Sequence, residues 1–280
     1  MIENNDFLGR EVAAGGEERV FVVSVPLEFT TSYMKGAAEG PASILAASRQ
    51  IELYNSGLDL DLEGAGITTI DPGVESREDL FSFLAANRER LASGFTCFLG
   101  GEHSITPWIL EGMGYGEIGI VWLDAHADLR SEYQGDRESH ACAARNSLPF
   151  GRIVEIGVRS FSREEKEFIG GEERVRVFSR FGRNALEAID QLPDRVYLSL
   201  DFDGIDPSVI RAVGTPEPGG LMWPDLMDIL DVIFATKTVV GMDAVELCPM
   251  AHDEASSFIA ARAVYEAISR HLARAGKAGR

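Results

Sequence analysis

Short apolar runs alternate along the chain with longer segments in which apolar residues recur every three or four positions. The short runs are typical of buried strands, and the second pattern is typical of amphipathic helices. Strands are predicted at 20–25, 67–70, 95–99, 118–123, 153–158, 175–178, 196–200 and 239–245. Helices are predicted at 41–53, 78–91, 107–112, 185–192, 226–234 and 258–274.

The predicted strands are mostly apolar, without regular alternation of apolar and polar residues. This pattern is typical of parallel strands that are covered on both faces. Strand–helix repeats with right-handed crossovers predict an α/β fold, a three-layer α/β/α sandwich around a mostly parallel sheet. A TIM barrel uses similar elements and stays open as an alternative topology. Residues 17–280 are predicted to form a single domain after a flexible N-terminal extension, 1–16.

The chain is strongly acidic, with a net charge of −19 from 26 basic and 45 acidic residues. Such a protein repels phosphate, which argues against a nucleic-acid partner and suits a cationic small molecule. The apolar runs fall short of the roughly 18 residues that span a bilayer, so no membrane partner is expected. Three widely spaced cysteines, Cys97, Cys142 and Cys248, argue against a disulfide framework and for a reducing compartment.

The segment 100–104, Gly-Gly-Glu-His-Ser, follows the predicted strand 95–99. In open parallel sheets, ligands bind at the carboxyl ends of the strands, so His103 is a candidate ligand. Taken alone, the segment also fits a strand-to-helix turn with a hydrogen-bonded histidine, or a glycine-rich phosphate loop.

The segment 124–128, Asp-Ala-His-Ala-Asp, follows the predicted strand 118–123. Side chains two residues apart in an extended segment point the same way, so Asp124, His126 and Asp128 face one point. Two adjacent buried carboxylates are costly unless a cation neutralises them. The alternative, a solvated acidic turn, fits poorly with the apolar flanks.

The segment 201–207, Asp-Phe-Asp-Gly-Ile-Asp-Pro, follows the predicted strand 196–200. Asp201 and Asp203 leave that strand together, whereas Asp206 is predicted to form an Asx turn with helix capping. The three segments supply two histidines and four aspartates, a set that suits Mn²⁺ best and also accepts Fe²⁺, Co²⁺, Ni²⁺ or Zn²⁺. Since these ligands exceed the needs of one ion, two ions that share carboxylates and activate water are predicted.

With the segments 25–41, 214–220 and 243–249, these motifs resemble the ureohydrolase family of arginases, agmatinases and formiminoglutamases over most of the chain, roughly 20–268. The resemblance implies an arginase-like sheet of about eight strands, a di-manganese site, and release of urea from a guanidino compound. It also implies a cytoplasmic homotrimer or homohexamer.

Residue by residue, the resemblance assigns His103, Asp124, Asp128 and Asp201 to one metal, and Asp124, His126, Asp201 and Asp203 to the other. Asp124 is thereby a catalytic residue that bridges the two ions. His140 matches the family's proton-shuttle histidine, Glu246 matches the carboxylate that receives the guanidinium, and Thr215 lies in a matching substrate segment. The alternatives are a surface loop histidine for His140 and a structural ion pair for Glu246.

Two histidines lie outside the motifs. His271 is interpreted as a solvated position on the last helix, and His252 is left without a role.

The loop 129–140 lacks the Asn- and Ser-rich sequence with which arginases hold the α-carboxylate and α-amino groups of arginine. The loop resembles that of agmatinases, which implies hydrolysis of agmatine to putrescine and urea, a step of polyamine biosynthesis. Aminopropylagmatine, guanidinobutyrate, arginine, guanidine itself and formiminoglutamate stay open as substrates. Two further alternatives are a single-zinc deacetylase-like enzyme and a non-catalytic homologue, and the complete ligand set disfavours both.

Overall fold

The computed structural model describes residues 6–13 and 17–278. The strands are β1 (Val20–Val25), β2 (Tyr54–Asn55), β3 (Leu60–Asp61), β4 (Ile67–Ile70), β5 (Phe95–Gly100), β6 (Ile118–Leu123), β7 (Gly151–Ile156), β8 (Val175–Phe178), β9 (Arg195–Asp201) and β10 (Thr238–Val245). The helices are α1 (Gly40–Ser48), α2 (Arg77–Ala92), α3 (Ile105–Met113), α4 (Ala143–Ser147), α5 (Arg163–Gly171), α6 (Arg183–Asp190), α7 (Trp223–Thr236) and α8 (Glu254–Ala278).

Eight of the strands form one parallel sheet in the order β4-β1-β5-β10-β9-β6-β7-β8. In the described part of the chain the sheet is open, with β4 and β8 at its edges. The predicted α/β fold is therefore confirmed, and the TIM-barrel alternative is wrong. β2 and β3 form a separate antiparallel hairpin, which the sequence did not predict because each strand has only two residues.

The sheet is covered on both faces by helices. On β6, Val121 and Leu123 pack into one apolar cluster together with residues of α1, α7 and α8. Ile120 and Trp122, which alternate with them, pack into a second cluster with residues of α2, α3 and α4. Because both faces of the strand are buried, its sequence shows a continuous apolar run. The three layers of the predicted sandwich are thus present.

Helix α5 is an element that apolar periodicity did not predict, because its first five residues are charged. It begins with a capping box, in which the side chain of Ser162 accepts from the N–H of Glu165 and the carboxylate of Glu165 accepts from the N–H of Ser162. This pair satisfies two amide groups that the first helical turn leaves free. The Ser-x-x-Glu spacing was the available sequence signal.

The predicted N-terminal extension is wrong for residues 6–13. Phe7, Leu8 and Val12 are buried in the main apolar cluster. The N–H of Phe7 donates to the hydroxyl of Thr69 at 2.8 Å, and that of Leu8 donates to Ser48 at 2.9 Å. This segment packs because its apolar side chains find a partner surface beside β4 and α1. Residues 1–5 and 14–16 of the predicted extension lie outside the described residues.

The solvated position predicted for His271 is also wrong. Its ring stacks on Phe95 with centroids 4.5 Å apart, and burial followed by the neighbouring Arg274 lowers its pKa to about 4. His252 is exposed in a turn with φ 65°. Among residues 6–13 and 17–278, no helix combines the length and the apolar composition that a membrane span requires.

Candidate metal centre

The predicted ligands follow neighbouring strands of the sheet. His103 lies just beyond β5, Asp124 follows β6, and Asp201 ends β9. Strand β10, between β5 and β9, leads into Glu246. Because the strands are parallel, their carboxyl ends meet at one edge of the sheet, and the side chains that follow them converge.

The first group of side chains surrounds Nδ1 of His103. This atom lies 3.1 Å from Oδ2 of Asp201, 3.2 Å from Oδ2 of Asp124 and 3.5 Å from Oδ2 of Asp128. Although these carboxylate oxygens are close and all four residues are buried, Nδ1 makes no hydrogen bond to any described residue. This nitrogen is buried and close to three carboxylates, yet it is not hydrogen-bonded to them. Such an arrangement is expected where a cation binds between the nitrogen and the carboxylate oxygens.

The second group shares Asp124 with the first. Nδ1 of His126 lies 2.9 Å from Oδ2 of Asp203 and 3.7 Å from Oδ1 of Asp124. The ligand atoms of His103, Asp124 and Asp128 lie within 4.8 Å of one another, and so do those of Asp124, His126 and Asp203. The structure therefore brings all the predicted metal ligands together in two adjoining groups that meet at Asp124.

The electrostatics of these groups favour a bound cation. Burial, followed by the carboxylates of Asp203 and Asp124, raises the pKa of Asp201 well above its usual range. Burial and then Asp124 raise the pKa of Asp128 in the same way. Burial opposes protonation of His126, yet Asp124 and Asp203 raise its pKa to about 12. Without a cation, some of these buried groups must bind protons, because their negative charges repel one another. Divalent cations would neutralise that charge and remove the need for those protons.

Residues that the sequence interpretation left unassigned orient the ligands. The indole N–H of Trp122 donates to Asp124 Oδ2 at 2.9 Å, and the same ring stacks on His103 with centroids 4.1 Å apart. The hydroxyl of Ser199 lies 2.8 Å from His103 Nε2 and donates to Asp243 at 2.7 Å. Ser199 and Asp243 lie inside the strands β9 and β10, where local sequence gives no sign of these contacts.

Two residues of the site have left-handed backbone conformations, Asp128 with φ 50° and Glu246 with φ 64°. This conformation is uncommon for residues with a β-carbon and occurs preferentially at functional sites. Oε1 of Glu246 accepts from the N–H of His103 at 2.7 Å, so its carboxylate is fixed beside the first ligand group. Burial raises the pKa of Glu246 to about 8, although the His103 N–H opposes the shift.

A cavity of about 280 Å³ opens onto the metal ligands. Its lining includes the predicted residues His126, Asp128, His140, Asp201, Asp203, Thr215 and Glu246. The hydroxyl of Thr215 donates to Asp203 at 3.3 Å. Tyr33 and Phe161, which are 74% and 47% exposed, also line the cavity. Four of the six predicted metal ligands thus share one cavity with the predicted proton-shuttle and guanidinium residues.

His140 begins a short 3-10 helix, His140–Cys142, and is half-buried. Its Nδ1 lies 2.9 Å from the hydroxyl of Thr30, and the ring of Tyr133 meets it edge-on with centroids 5.9 Å apart. Burial lowers the pKa of His140 below its ordinary value, and the carboxylate of Glu102 opposes this shift. These contacts hold the side chain at the cavity, and the proton-shuttle role of His140 stays a prediction.

The structure also bears on the predictions for Asp206 and for the three cysteines. Asp206 forms the predicted Asx turn, because its carboxylate accepts from the N–H of Ser208 at 2.9 Å, and it also accepts from Gly219 and Gly220. In the described chain the three cysteines are buried and free.

Oxygen and imidazole donors around a water-accessible cavity define the chain as a metal-dependent hydrolase of α/β fold. It belongs to the arginase family, whose model matches residues 18–269. The chain is therefore a ureohydrolase, an enzyme that hydrolyses C–N bonds of guanidino compounds.

The similarity to individual proteins extends over nearly the whole chain. The N(1)-aminopropylagmatine ureohydrolase of Thermus thermophilus is 37% identical over 287 residues, covering 96% of this chain and 95% of the relative. The agmatinase of Pyrococcus horikoshii is 34% identical, covering 88% of this chain and 90% of the relative. The crystal structure of the agmatine ureohydrolase of Thermoplasma volcanium matches with a TM-score of 0.86 at 30% identity, covering 99% of this chain and 97% of that one.

Proposed function

We propose that this chain hydrolyses agmatine to putrescine and urea, with two Mn²⁺ ions at the candidate metal centre. The observation that carries the proposal is the position of the Glu246 carboxylate, which lines the same cavity as His126, Asp128 and Asp203. A buried carboxylate beside metal ligands offers a cationic guanidinium a partner next to the site where water is activated.

In this proposal, His103, Asp124, Asp128 and Asp201 would hold one ion, and Asp124, His126, Asp201 and Asp203 would hold the other. Asp124 belongs to both groups of ligand atoms, which supports its assignment to both ions. Mn²⁺ suits this mixture of carboxylate and imidazole donors, and Fe²⁺, Co²⁺, Ni²⁺ or Zn²⁺ can replace it. When bound, the ions supply Lewis acidity and lower the pKa of water towards neutrality.

The protein's own groups bind and orient the substrate. Glu246 accepts hydrogen bonds from the planar guanidinium, whose pKa keeps it charged, and the charge of the substrate offsets the cost of the buried carboxylate. Thr215 donates its hydroxyl hydrogen to Asp203 and has lone pairs left to accept from the guanidinium. His140 transfers a proton to the leaving amine, because its imidazole can carry and release a proton and the residue lines the same cavity.

The loop after Asp128 supports a substrate without an α-carboxylate. The N–H of Leu129 donates to Glu165 at 3.1 Å, and both the N–H and the hydroxyl of Ser131 donate to Glu164. These donors are therefore occupied and do not bind the carboxylate of arginine. Arg130 of this loop also lines the cavity, over the ring of Tyr133 at 4.9 Å, and it is the group that a carboxylate tail, in guanidinobutyrate or in arginine, would meet.

N(1)-aminopropylagmatine is the second candidate substrate. Relatives with that activity in their names are 37%, 36% and 33% identical to this chain. The exposed rings of Tyr33 and Phe161 at the cavity offer aromatic faces to the additional ammonium group of a longer tail. Either product places the reaction in polyamine biosynthesis.

The free cysteines of the described chain support the proposal of a cytoplasmic location, because thiols stay reduced there. A homotrimer or homohexamer is proposed from the family resemblance. Light scattering coupled to size-exclusion chromatography distinguishes these two assemblies from a monomer of 30.5 kDa.

The test is urea release by the Mn²⁺-loaded protein from agmatine, N(1)-aminopropylagmatine, arginine, guanidinobutyrate and guanidine, compared as kcat/KM. The highest value is expected for agmatine. A higher value for N(1)-aminopropylagmatine would assign the second candidate, and turnover of arginine with no turnover of agmatine or N(1)-aminopropylagmatine would refute both.

The matched control is Asp124→Asn, which keeps the shape of the side chain and removes the charge shared by the two ligand groups. It is expected to lose urea release and to bind less than two metal ions per chain. Full activity of this variant would contradict the proposed metal site even if agmatine is the substrate.

A further inference from the structure

The carboxylate of Glu102 lies beneath the loop that contains Thr30. Glu102 is fully buried, and its Oε2 accepts from the N–H groups of Phe29, Thr30 and Thr31 at 2.9, 2.7 and 3.1 Å. Its Oε1 accepts from the hydroxyl of Ser104 at 2.6 Å. Glu102 belongs to the segment 100–104, in which only the neighbouring histidine had been assigned a role.

The hydroxyl of Thr30 connects this carboxylate to His140. It lies 3.1 Å from Oε1 of Glu102, it accepts from the backbone N–H of His140 at 3.0 Å, and it is 2.9 Å from Nδ1 of the same histidine. A hydroxyl has one hydrogen to donate and two lone pairs. The Glu102 carboxylate already accepts from three N–H groups and from Ser104, and it accepts the hydrogen of Thr30 as well, so Thr30 accepts both contacts with His140. The hydroxyl of Ser139 lies farther from the same Nδ1, at 3.4 Å.

From this arrangement we infer that Glu102 and Thr30 are positioning residues that hold His140 as the Nδ1–H tautomer and leave Nε2 as its proton-exchanging atom. The inference rests on the proposed function, in which His140 protonates the leaving amine. Neither residue contacts the reacting atoms in this account. They act through the orientation and tautomer of the imidazole.

The hydrogen bonds between Thr30 and His140 suit proton transfer because they are the same whether the imidazole is neutral or positively charged. Nδ1 carries a hydrogen in the imidazolium and in this neutral tautomer, so its hydrogen bond to Thr30 persists when Nε2 gains or loses a proton. The ring therefore keeps one orientation throughout the reaction. Tyr133, edge-on at 5.9 Å, restricts the ring from another side.

The first test compares Thr30→Val with Thr30→Ser. Valine keeps the shape of threonine and loses the hydroxyl, whereas serine keeps the hydroxyl. Thr30→Val is expected to lower kcat for agmatine about tenfold to hundredfold with KM changed less than about threefold, because general-acid transfer contributes about 10²–10⁴-fold. Thr30→Ser is expected to retain kcat within about threefold.

The control for the loop itself is Glu28→Gln. Glu28 holds the same loop through Thr31 Oγ1, Gly36 N–H and Ala38 N–H at 2.8, 3.0 and 3.1 Å, but its carboxylate contacts Thr30 and His140 in none of the described hydrogen bonds. The kcat of the Glu28→Gln variant is expected to stay within about threefold of that of the unmodified enzyme. An equal loss in Glu28→Gln, or a Thr30→Ser variant as slow as Thr30→Val, would overturn the positioning role.

The second test does not depend on activity. In long-range ¹H–¹⁵N spectra of the histidine rings, recorded with diamagnetic Zn²⁺ in place of Mn²⁺, His140 is expected to show the Nδ1–H tautomer. His140→Ala assigns its signals among the five histidines. The Nε2–H tautomer would overturn the inference. If the enzyme releases no urea from agmatine or N(1)-aminopropylagmatine, the proposed function fails, and the spectrum still decides the tautomer.

Discussion

The hydroxyl of Ser199 lies 2.8 Å from Nε2 of His103, while Nδ1 of the same ring faces Asp124, Asp128 and Asp201. Ser199 donates its own hydrogen to Asp243, whose other oxygen accepts from Thr106 at 2.9 Å. Ser199 must therefore accept from Nε2–H, which leaves the lone pair of Nδ1 free for a metal ion. Two histidines of this site are thus held in defined tautomers, by hydroxyl groups that are themselves held by buried carboxylates.

Removal of this support is expected to weaken metal binding. Ser199→Ala leaves Nε2–H without its acceptor, so metal affinity should fall about tenfold to hundredfold. Competition with a chromogenic chelator measures the change. Ser147→Ala, which removes a buried hydroxyl bonded only to the carbonyl of Ala143 in the described contacts, is the matched control and should bind metal like the unmodified protein.

Neutralisation of Glu246 is expected to impair substrate binding while metal stays bound. Glu246→Gln keeps an oxygen that accepts from the His103 N–H but removes the charge that faces the guanidinium. Loss of one partner of a buried charge pair costs about 2–5 kcal/mol, so kcat/KM for agmatine should fall about 30-fold or more. The measurement is steady-state urea release with metal content determined in parallel. Unchanged kcat/KM would show that the guanidinium binds elsewhere.

Removal of metal is expected to destabilise the folded protein. Divalent ions at 100 times their dissociation constant stabilise the fold by about 2.7 kcal/mol, which for a chain of this size lowers Tm by roughly 5–10 °C when a chelator is added. Thermal unfolding with and without chelator measures the shift. Asp124→Asn should respond by less than about 2 °C, and an equal response would indicate metal bound at other residues.

Acid is expected to destabilise the protein through His271. Burial lowers its pKa to about 4, so between pH 6.5 and pH 4 the unfolded chain binds a proton that the folded chain refuses. The stability is therefore present above pH 6.5 and is lost as the pH falls. From pH 7 to pH 5 this group should cost about 2 kcal/mol. Urea unfolding at pH 7 and pH 5 measures this loss of unfolding free energy. The His271→Leu variant should lose less of it by about the same amount.

The N-terminal segment is expected to contribute to stability. Phe7 is 0% exposed within the main apolar cluster, so Phe7→Ala should lower the free energy of unfolding by about 3–5 kcal/mol. Phe258→Ala, at a ring that is 39% exposed, should cost less than half of that. Equal effects in urea-unfolding experiments would contradict the packing of residues 6–13.

The sequence predicted the central sheet well because each parallel strand is buried on both faces, which leaves a continuous apolar run such as 118–123. It also predicted the candidate ligands, because Asp124, His126 and Asp128 alternate within one short segment directly after such a run. These signals are local in the chain. Helix α5 and residues 6–13 were missed because polar helical residues and a short apolar segment carry no periodic pattern.

Only the tertiary structure decided which distant residues support the site. Glu246 meets the His103 N–H across 143 residues of chain because β10 lies between β5 and β9 in the sheet. Thr30 reaches His140 across 110 residues because the loop after β1 lies on Glu102. The sequence by itself thus determined the strands and the ligand types, which depend on neighbouring residues. The order of the strands and the loop contacts determined the tautomers and the cavity, because these depend on long-range packing.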